Sequence, residues 1–295
     1  MPHSLVDSLI RLSQRLRSQT GAYASGALAR LRPSSSRLLL GTREMELQAQ
    51  QPGWKGAPHG DTQKFSCLPA APEEPVWRAA LAALDAHAGA APVVDVVLSN
   101  ELVRYAVVPW TSGLRGGDVQ TAYVRHHFAQ TYASAAELWS LRYSQQNWGV
   151  PYLATAVETA LIESLRAGLA TRAIATRSIQ PLFAWAYNRW CAQFEGTSYW
   201  FVSAEPRRLV VGRVAGGYWE SVHSHRVVRD WTRELPLRLT RARLQSPSAA
   251  SGGRVYVATP GLAGELLTGD WLTTGLRLPL PGLAAAGAKT VQAAG

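Results

Sequence analysis

Cysteine is almost missing from this 295-residue chain. Cys67 and Cys191 stand far apart, with no Cys-x-x-Cys or Cys/His spacing around either. That excludes a disulfide framework and a thiolate zinc site, and it suits a reducing compartment, so a cytoplasmic setting is expected. Long apolar runs are missing too. The greasiest segments, Val93 to Leu98 and Leu209 to Val214, have the length of strands, and no stretch approaches the 18 or so residues of a spanning helix. Acids are scarce beside bases: 20 Asp and Glu face 30 Lys and Arg, a formal charge of +10. Such a surplus favours anionic partners, whether nucleic acid, lipid headgroups or acidic proteins, without choosing among them.

Enzyme motifs are equally thin. There is no Gly-x-Ser-x-Gly elbow, and neither cysteine has the context of an activated nucleophile. Gly113-Leu-Arg-Gly-Gly-Asp118 precedes a helix but lacks the Gly-Lys-Ser/Thr ending of a phosphate loop, and Asp118 would repel phosphate. His126-His127 and His223-Ser-His225 raise the question of a metal, yet no neighbouring Asp, Glu or Cys completes a ligand set. His126 is therefore expected as a packed helix histidine and the strand pair as solvent-facing. No catalytic residue and no metal ligand is assigned.

What is present has the alternation of an α/β protein. Residues 1–35 carry Leu5, Leu9, Leu12 and Leu16 at helical spacing, with Arg11, Arg15 and Arg17 on other faces, followed by a Ser/Gly/Ala/Arg linker. These arginines are candidates for contact with anionic lipid; a transit peptide or an unstructured tail are the other readings. Arg37 to Leu47 reads as a hairpin turning at Gly41-Thr42, and 50–72 as a loop. A helix should run from Pro75 to about His87, with Trp77, Leu81 and Leu84 on one face. Strands are expected at Val93 to Leu98 and Leu102 to Val108. A helix capped by Asp118 should reach Ala133 and bury Val119, Ala122, Tyr123, His126 and Ala129. Further strands fall at 139–143, 152–156 and 172–178, with helices at 157–168 and 181–194. Tyr199 to Ser203, Leu209 to Val214 and Gly217 to Val222 form an antiparallel run that turns at Gly216-Gly217. A helix from Val227 to Gln245 follows, then a strand at Arg254 to Ala258, a helix near Leu262 to Leu267 and a last strand at Gly275 to Leu280. Most of the 11 Trp, such as Trp77, Trp139, Trp185 and Trp190, lie inside periodic segments and are expected as core or partner-facing anchors.

Two halves thus repeat a β-rich opening, a helix and a further strand, a pattern compatible with a duplicated ribonuclease-H-like fold of two lobes. The segment Val97-Leu-Ser-Asn-Glu-Leu-Val-Arg-Tyr-Ala-Val-Val-Pro-Trp110, with the Arg37 to Leu47 hairpin before it and Gln180-Pro-Leu-Phe-Ala-Trp-Ala-Tyr-Asn-Arg-Trp190 after it, resembles the actin-like cytoplasmic proteins of type IV pilus and type II secretion machines, of PilM and GspL type. The likeness covers about Arg37 to Leu280 and rests on element order. It implies lobes at 36–180 and 181–282, and the Ala/Gly-rich composition after them leads us to expect a disordered tail at 283–295.

The resemblance also implies where ATP and magnesium would sit, and the residues there are degenerate. Where actin-like ATPases carry a metal-ordering Asp before Gly41-Thr42, this chain has Leu39. The second hairpin, normally Asp-x-Gly, reads Phe201-Val-Ser-Ala-Glu-Pro-Arg-Arg208, and Pro206 removes an amide donor. The adenosine-side Gly-Gly is reduced to Pro260-Gly261. These departures imply no cofactor and no ATPase activity. The implied role is a non-catalytic scaffold docking cytoplasmic segments of inner-membrane pilus or secretion subunits, itself cytoplasmic with peripheral contact at the inner membrane. Two alternatives stay open. A diverged sugar-kinase-like phosphotransferase would show an Asp or Glu lining the interlobe cleft. A basic nucleic-acid-binding module would use the patch Arg226, Arg229, Arg233 and Arg241, although no helix-turn-helix, ribonucleoprotein or zinc-finger signature accompanies it.

Overall fold

The computed structural model describes residues 35–50, 62–66, 74–75, 77–78, 82, 92–113, 117–144, 149–246, 253–260 and 271–278. The first sheet begins with β1 (Ser35–Leu40) and β2 (Glu44–Gln50), followed by β3 (Thr62–Ser66) and β4 (Val93–Leu98). After β4 comes an insertion: β5 (Arg104–Val108), α1 (Gly117–Tyr132), β6 (Trp139–Tyr143) and β7 (Tyr152–Glu158). Then α2 (Thr159–Ala170) leads back to β8 (Ala175–Pro181). The second half runs α3 (Leu182–Trp190), β9 (Tyr199–Glu205), β10 (Arg208–Ala215), β11 (Tyr218–Arg226), α4 (Trp231–Gln245), β12 (Gly253–Pro260) and β13 (Trp271–Leu278).

The two large sheets repeat one plan. Their strand orders are β3-β2-β1-β4-β8 and β11-β10-β9-β12-β13. In each, the first three strands pair antiparallel and the last two join parallel. This is the duplicated ribonuclease-H-like arrangement expected from the sequence. The insertion forms a separate sheet, β5-β7-β6, and β5 lies alongside β11 of the second sheet.

Local chemistry accounts for most elements. β4 is Val-Val-Asp-Val-Val-Leu, a β-branched run that suits a parallel strand covered on both faces. α2 buries Leu161, Leu165 and Leu169, one residue per turn on a single stripe. Gly216 and Gly217, at φ of 58° and 85°, make the two-residue turn between β10 and β11, a conformation that glycine adopts freely. Gly212 is needed for a different reason: a Cβ there would lie 2.5 Å from the Trp219 ring and 2.8 Å from that of Phe183. Phe183 in turn packs on Tyr105, Phe201 and Trp219, with centroids 5.1 to 5.4 Å apart. One core cluster therefore joins β1, β4, α2 and α3 to β9, β10 and β11.

Several expectations need correction. Within the expected loop at 50–72, Thr62–Ser66 is an edge strand on β2. α1 buries Val124 and Phe128, whereas Val119 is 48% exposed and Ala122 and His126 are exposed. The small sheet takes the face one step round the helix. Asp118 lies inside the first turn of α1 and does not precede it. β11 continues to Arg226, so the following helix starts at Trp231, with the Asp230 carboxylate accepting Thr232 N–H at 2.9 Å. His223 and His225 are half-buried, with stacked rings 6.2 Å apart, and not solvent-facing. Of the expected helix at 75–87, residues 77–78 and 82 are helical, and Trp77 is buried with its Nε1–H donated to Glu158. Leu81 and Leu84, the helix near Leu262, the arginines 11, 15 and 17 and the tail lie outside the described residues.

Candidate functional site

Three turns converge between the two large sheets: Gly41-Thr42-Arg43 between β1 and β2, Ser99 to Leu102 after β4, and Pro206-Arg207 between β9 and β10. The first is tight because Gly41 N–H bonds back to Glu44 O at 2.9 Å, and a Cβ on Gly41 would lie 2.7 Å from that oxygen. Ser99 N–H donates to Leu40 O at 2.8 Å, tying the second turn to the first. Ser99 then caps a single 3-10 turn, Asn100–Leu102, by accepting Glu101 N–H.

From this turn a hydrogen-bonded latch crosses to the second sheet. Ser99 Oγ–H donates to Glu205 Oε1 at 2.7 Å, and Asn100 N–H donates to Glu205 Oε2 at 2.8 Å. The Asn100 amide donates to Ser203 Oγ at 3.0 Å, and its oxygen accepts Tyr105 O–H at 2.6 Å and Phe183 N–H at 3.1 Å. Asn100 is fully buried and Glu205 is 2% exposed. Burial pushes the Glu205 carboxyl up to about 7, against the pull of its donors Ser99 and Asn100. The same burial, with Glu205 beside it, raises the Tyr105 phenol well above its ordinary value.

Acids line the rest of the cleft. Glu101 accepts Thr42 O–H at 2.7 Å and lies 3.5 Å from the Arg207 guanidinium. Glu46, 4% exposed, is approached by Lys64 Nζ at 3.5 Å, and its burial raises it to about 7. Leu39, 4% exposed, is the cross-strand partner of Glu46 on β1. The structure thus brings Leu39, Gly41 and Thr42 together with Glu205 and Pro206 in one cleft. It places Pro260 at the end of β12, paired with Leu278, and leaves Gly261 outside the described residues. Arg226, Arg229, Arg233 and Arg241 are all exposed around α4 and take no part in the cleft. Sequence reasoning singled out the hairpins but not Ser99, Asn100 or the buried state of Glu205. Among the described residues no group of three His, Cys, Asp or Glu is placed to hold a metal, and no helix is long and apolar enough to cross a membrane.

No family model and no curated protein matches the chain. Solved structures do. The cytoplasmic domain of EpsL, an inner-membrane component of the type II secretion system of Vibrio cholerae, superposes with a TM-score of 0.52 at 12% identity, covering 83% of this chain and 91% of that one. A chain of the PilM–PilN type IV pilus biogenesis complex gives 0.54 at 14%, covering 76% and 81%. A Bacteroides thetaiotaomicron protein of unknown function with an actin-like ATPase fold gives 0.51 at 8%, covering 79% and 84%. The fold is therefore actin-like, with two lobes, and its neighbours include proteins of the PilM and GspL type.

Proposed function

We propose that this chain is a non-catalytic scaffold on the cytoplasmic side of a pilus or type II secretion-like inner-membrane platform. Its lobes correspond to residues 36–180 and 181–282, and it docks the cytoplasmic segments of membrane subunits. The observation that carries the reading is the Glu205 latch. In an actin-like ATPase the second hairpin turn presents backbone amides to phosphate. Here the same turn carries a buried carboxylate that already consumes the Ser99 hydroxyl and the Asn100 amide. Leu39 supplies no carboxylate for magnesium, and Pro206 supplies no amide. A polyphosphate entering the cleft would meet four acids, Glu44, Glu46, Glu101 and Glu205, against two guanidinium groups, Arg43 and Arg207, of which Arg207 already lies 3.5 Å from Glu101. On this reading ATP and magnesium are not cofactors.

The phosphotransfer alternative has one observation in its favour, since acids do line the cleft. Their engagements count against it: Glu205 is held by Ser99 and Asn100, Glu101 by Thr42 and Arg207, and Glu46 by Lys64. Among these, Glu46, whose oxygens accept no hydrogen bond and which Lys64 approaches at 3.5 Å, keeps free acceptor capacity inside the cleft. Calorimetric titration with Mg-ATP, run beside pairwise binding assays against the cytoplasmic segments of inner-membrane pilus and secretion subunits from the same genome, tests the reading. No heat with Mg-ATP and saturable binding to one such segment is the expected result. Micromolar Mg-ATP binding, or no binding to any segment, would overturn it.

A further inference from the structure

The wheel of α4 is divided in an unusual way. Trp231, Leu235, Leu239 and Ala242 are buried against the second sheet. At 100° per residue the opposite side of the helix is the line Arg233, Leu237, Thr240 and Leu244, with Arg241 at its flank. A solvated helix typically carries polar side chains there, and single exposed leucines are ordinary, so the feature is two leucines on one line among arginines. Leu237 is 72% exposed and Leu244 is 80% exposed, among the most exposed large apolar side chains of the described residues. Arg233 and Arg241 are exposed beside them, and Arg226 and Arg229 are exposed just before the helix.

The acids of this region are turned to local work. Asp230 caps the helix through Thr232 N–H and Oγ–H, while Glu234 accepts Val228 N–H and the Arg238 guanidinium. Arg243 sits over the Trp271 ring at 5.5 Å. What faces outward is thus two leucines, about 10 Å apart along the axis, in a setting of guanidinium groups.

We propose that this face of α4 seats on an anionic lipid surface, the arginines at the headgroups and Leu237 and Leu244 at the acyl boundary. The charge is complementary to the anionic leaflet, and the mixture of apolar and basic groups on one ridge is what an interfacial helix requires. A nucleic acid backbone has no use for two exposed leucines. An acidic protein would use the arginines but would need an apolar groove of matching spacing for the leucines. The proposal takes from the preceding reading only the location at an inner membrane. Vesicle binding needs no partner subunit, so either idea can fail without the other.

The test is sedimentation of the full chain with phosphatidylcholine vesicles and with vesicles containing about a third phosphatidylglycerol. The thermal melts of all variants are compared first; Arg233, Leu237, Arg241 and Leu244 are all exposed, so their replacement should leave the melt unchanged. Wild type is expected on the anionic vesicles only. L237Q/L244Q and R233Q/R241Q should each weaken that binding about tenfold or more, at roughly fivefold per guanidinium lost, and 0.5 M NaCl should largely release wild type. R11Q/R15Q/R17Q should retain the sensitivity to the α4 substitutions. Unchanged binding of L237Q/L244Q would overturn the proposal, because the basic N-terminal segment would then account for the attraction. So would failure of wild type to bind anionic vesicles while it binds duplex DNA or an acidic peptide through the same arginines.

Discussion

Ser99 and Glu205 are separated by 106 positions, yet the hydroxyl of one donates to the carboxylate of the other at 2.7 Å, with both residues buried. The pair spans the two lobes. It forms one wall of the cleft between the two large sheets, and it makes the lobe interface sensitive to the protonation of one carboxyl group.

That sensitivity has a sign. The folded value for Glu205 is about 7 and its ordinary value 4.5, so the native state binds the extra proton between these limits. Its contribution to stability is fully present below pH 4.5 and is lost as pH rises through 7. Other groups titrate in the same range, so the difference between variant and wild type is the clean quantity. Urea denaturation should show E205Q gaining about 3 kcal/mol relative to wild type between pH 4.5 and pH 8. A difference that stays flat across that range would mean that Glu205 is not desolvated as described.

Asn100 is the hub of the same network, with its amide N–H, side-chain amide and side-chain oxygen all engaged inside the protein. N100A leaves Tyr105 O–H, Phe183 N–H and Ser203 Oγ without their partner in a buried site. Equilibrium unfolding should show a loss of roughly 3 to 5 kcal/mol. Asn100→Asp should do no better than Ala, because it replaces the donor to Ser203 and buries a second acid next to Glu205.

Gly212 has no room for a methyl group between Trp219 and Phe183, two rings that belong to the core shared by the lobes. G212A should cost about 1 to 3 kcal/mol and change the near-ultraviolet circular dichroism of the aromatic cluster. An alanine variant as stable as wild type would place those rings elsewhere.

His225 works in the opposite direction from Glu205. Burial lowers it to about 4, with Arg238 as the next cause. Its contribution is complete above its ordinary value of 6.5 and fades as pH falls through the folded value. His225→Asn should therefore lose less stability than wild type between pH 7 and pH 4.5. Proton NMR of the histidine ring checks the cause directly, and a titration midpoint near 6.5 would refute it.

The elements that could be read in advance were those whose pattern answers to a local cause. β4 and β10 are apolar runs, α2 has leucines at every turn, and Gly216-Gly217 can make only a two-residue turn between strands. β3 was not legible because Thr-Gln-Lys-Phe-Ser is a polar edge strand that exists by pairing with β2. The buried face of α1 was misread because its apolar residues lie nearly all round the helix, and only the β5-β7-β6 sheet selects Val124 and Phe128. In the candidate site, Leu39 and Pro206 could be located from the hairpins alone. Ser99 and Asn100 could not, since their short polar turn carries no signature.

The alternation of apolar strands and amphipathic helices, the residues at the two hairpin turns and the basic character around α4 were settled by the chain itself, because each depends on residue type and near-neighbour spacing. The tertiary structure decided which way side chains turn. It buries Glu205 against Ser99 and Asn100, where loss of solvent and not sequence context raises its proton affinity. It also leaves Leu237 and Leu244 in the open, because a helix buries only the side that a sheet covers.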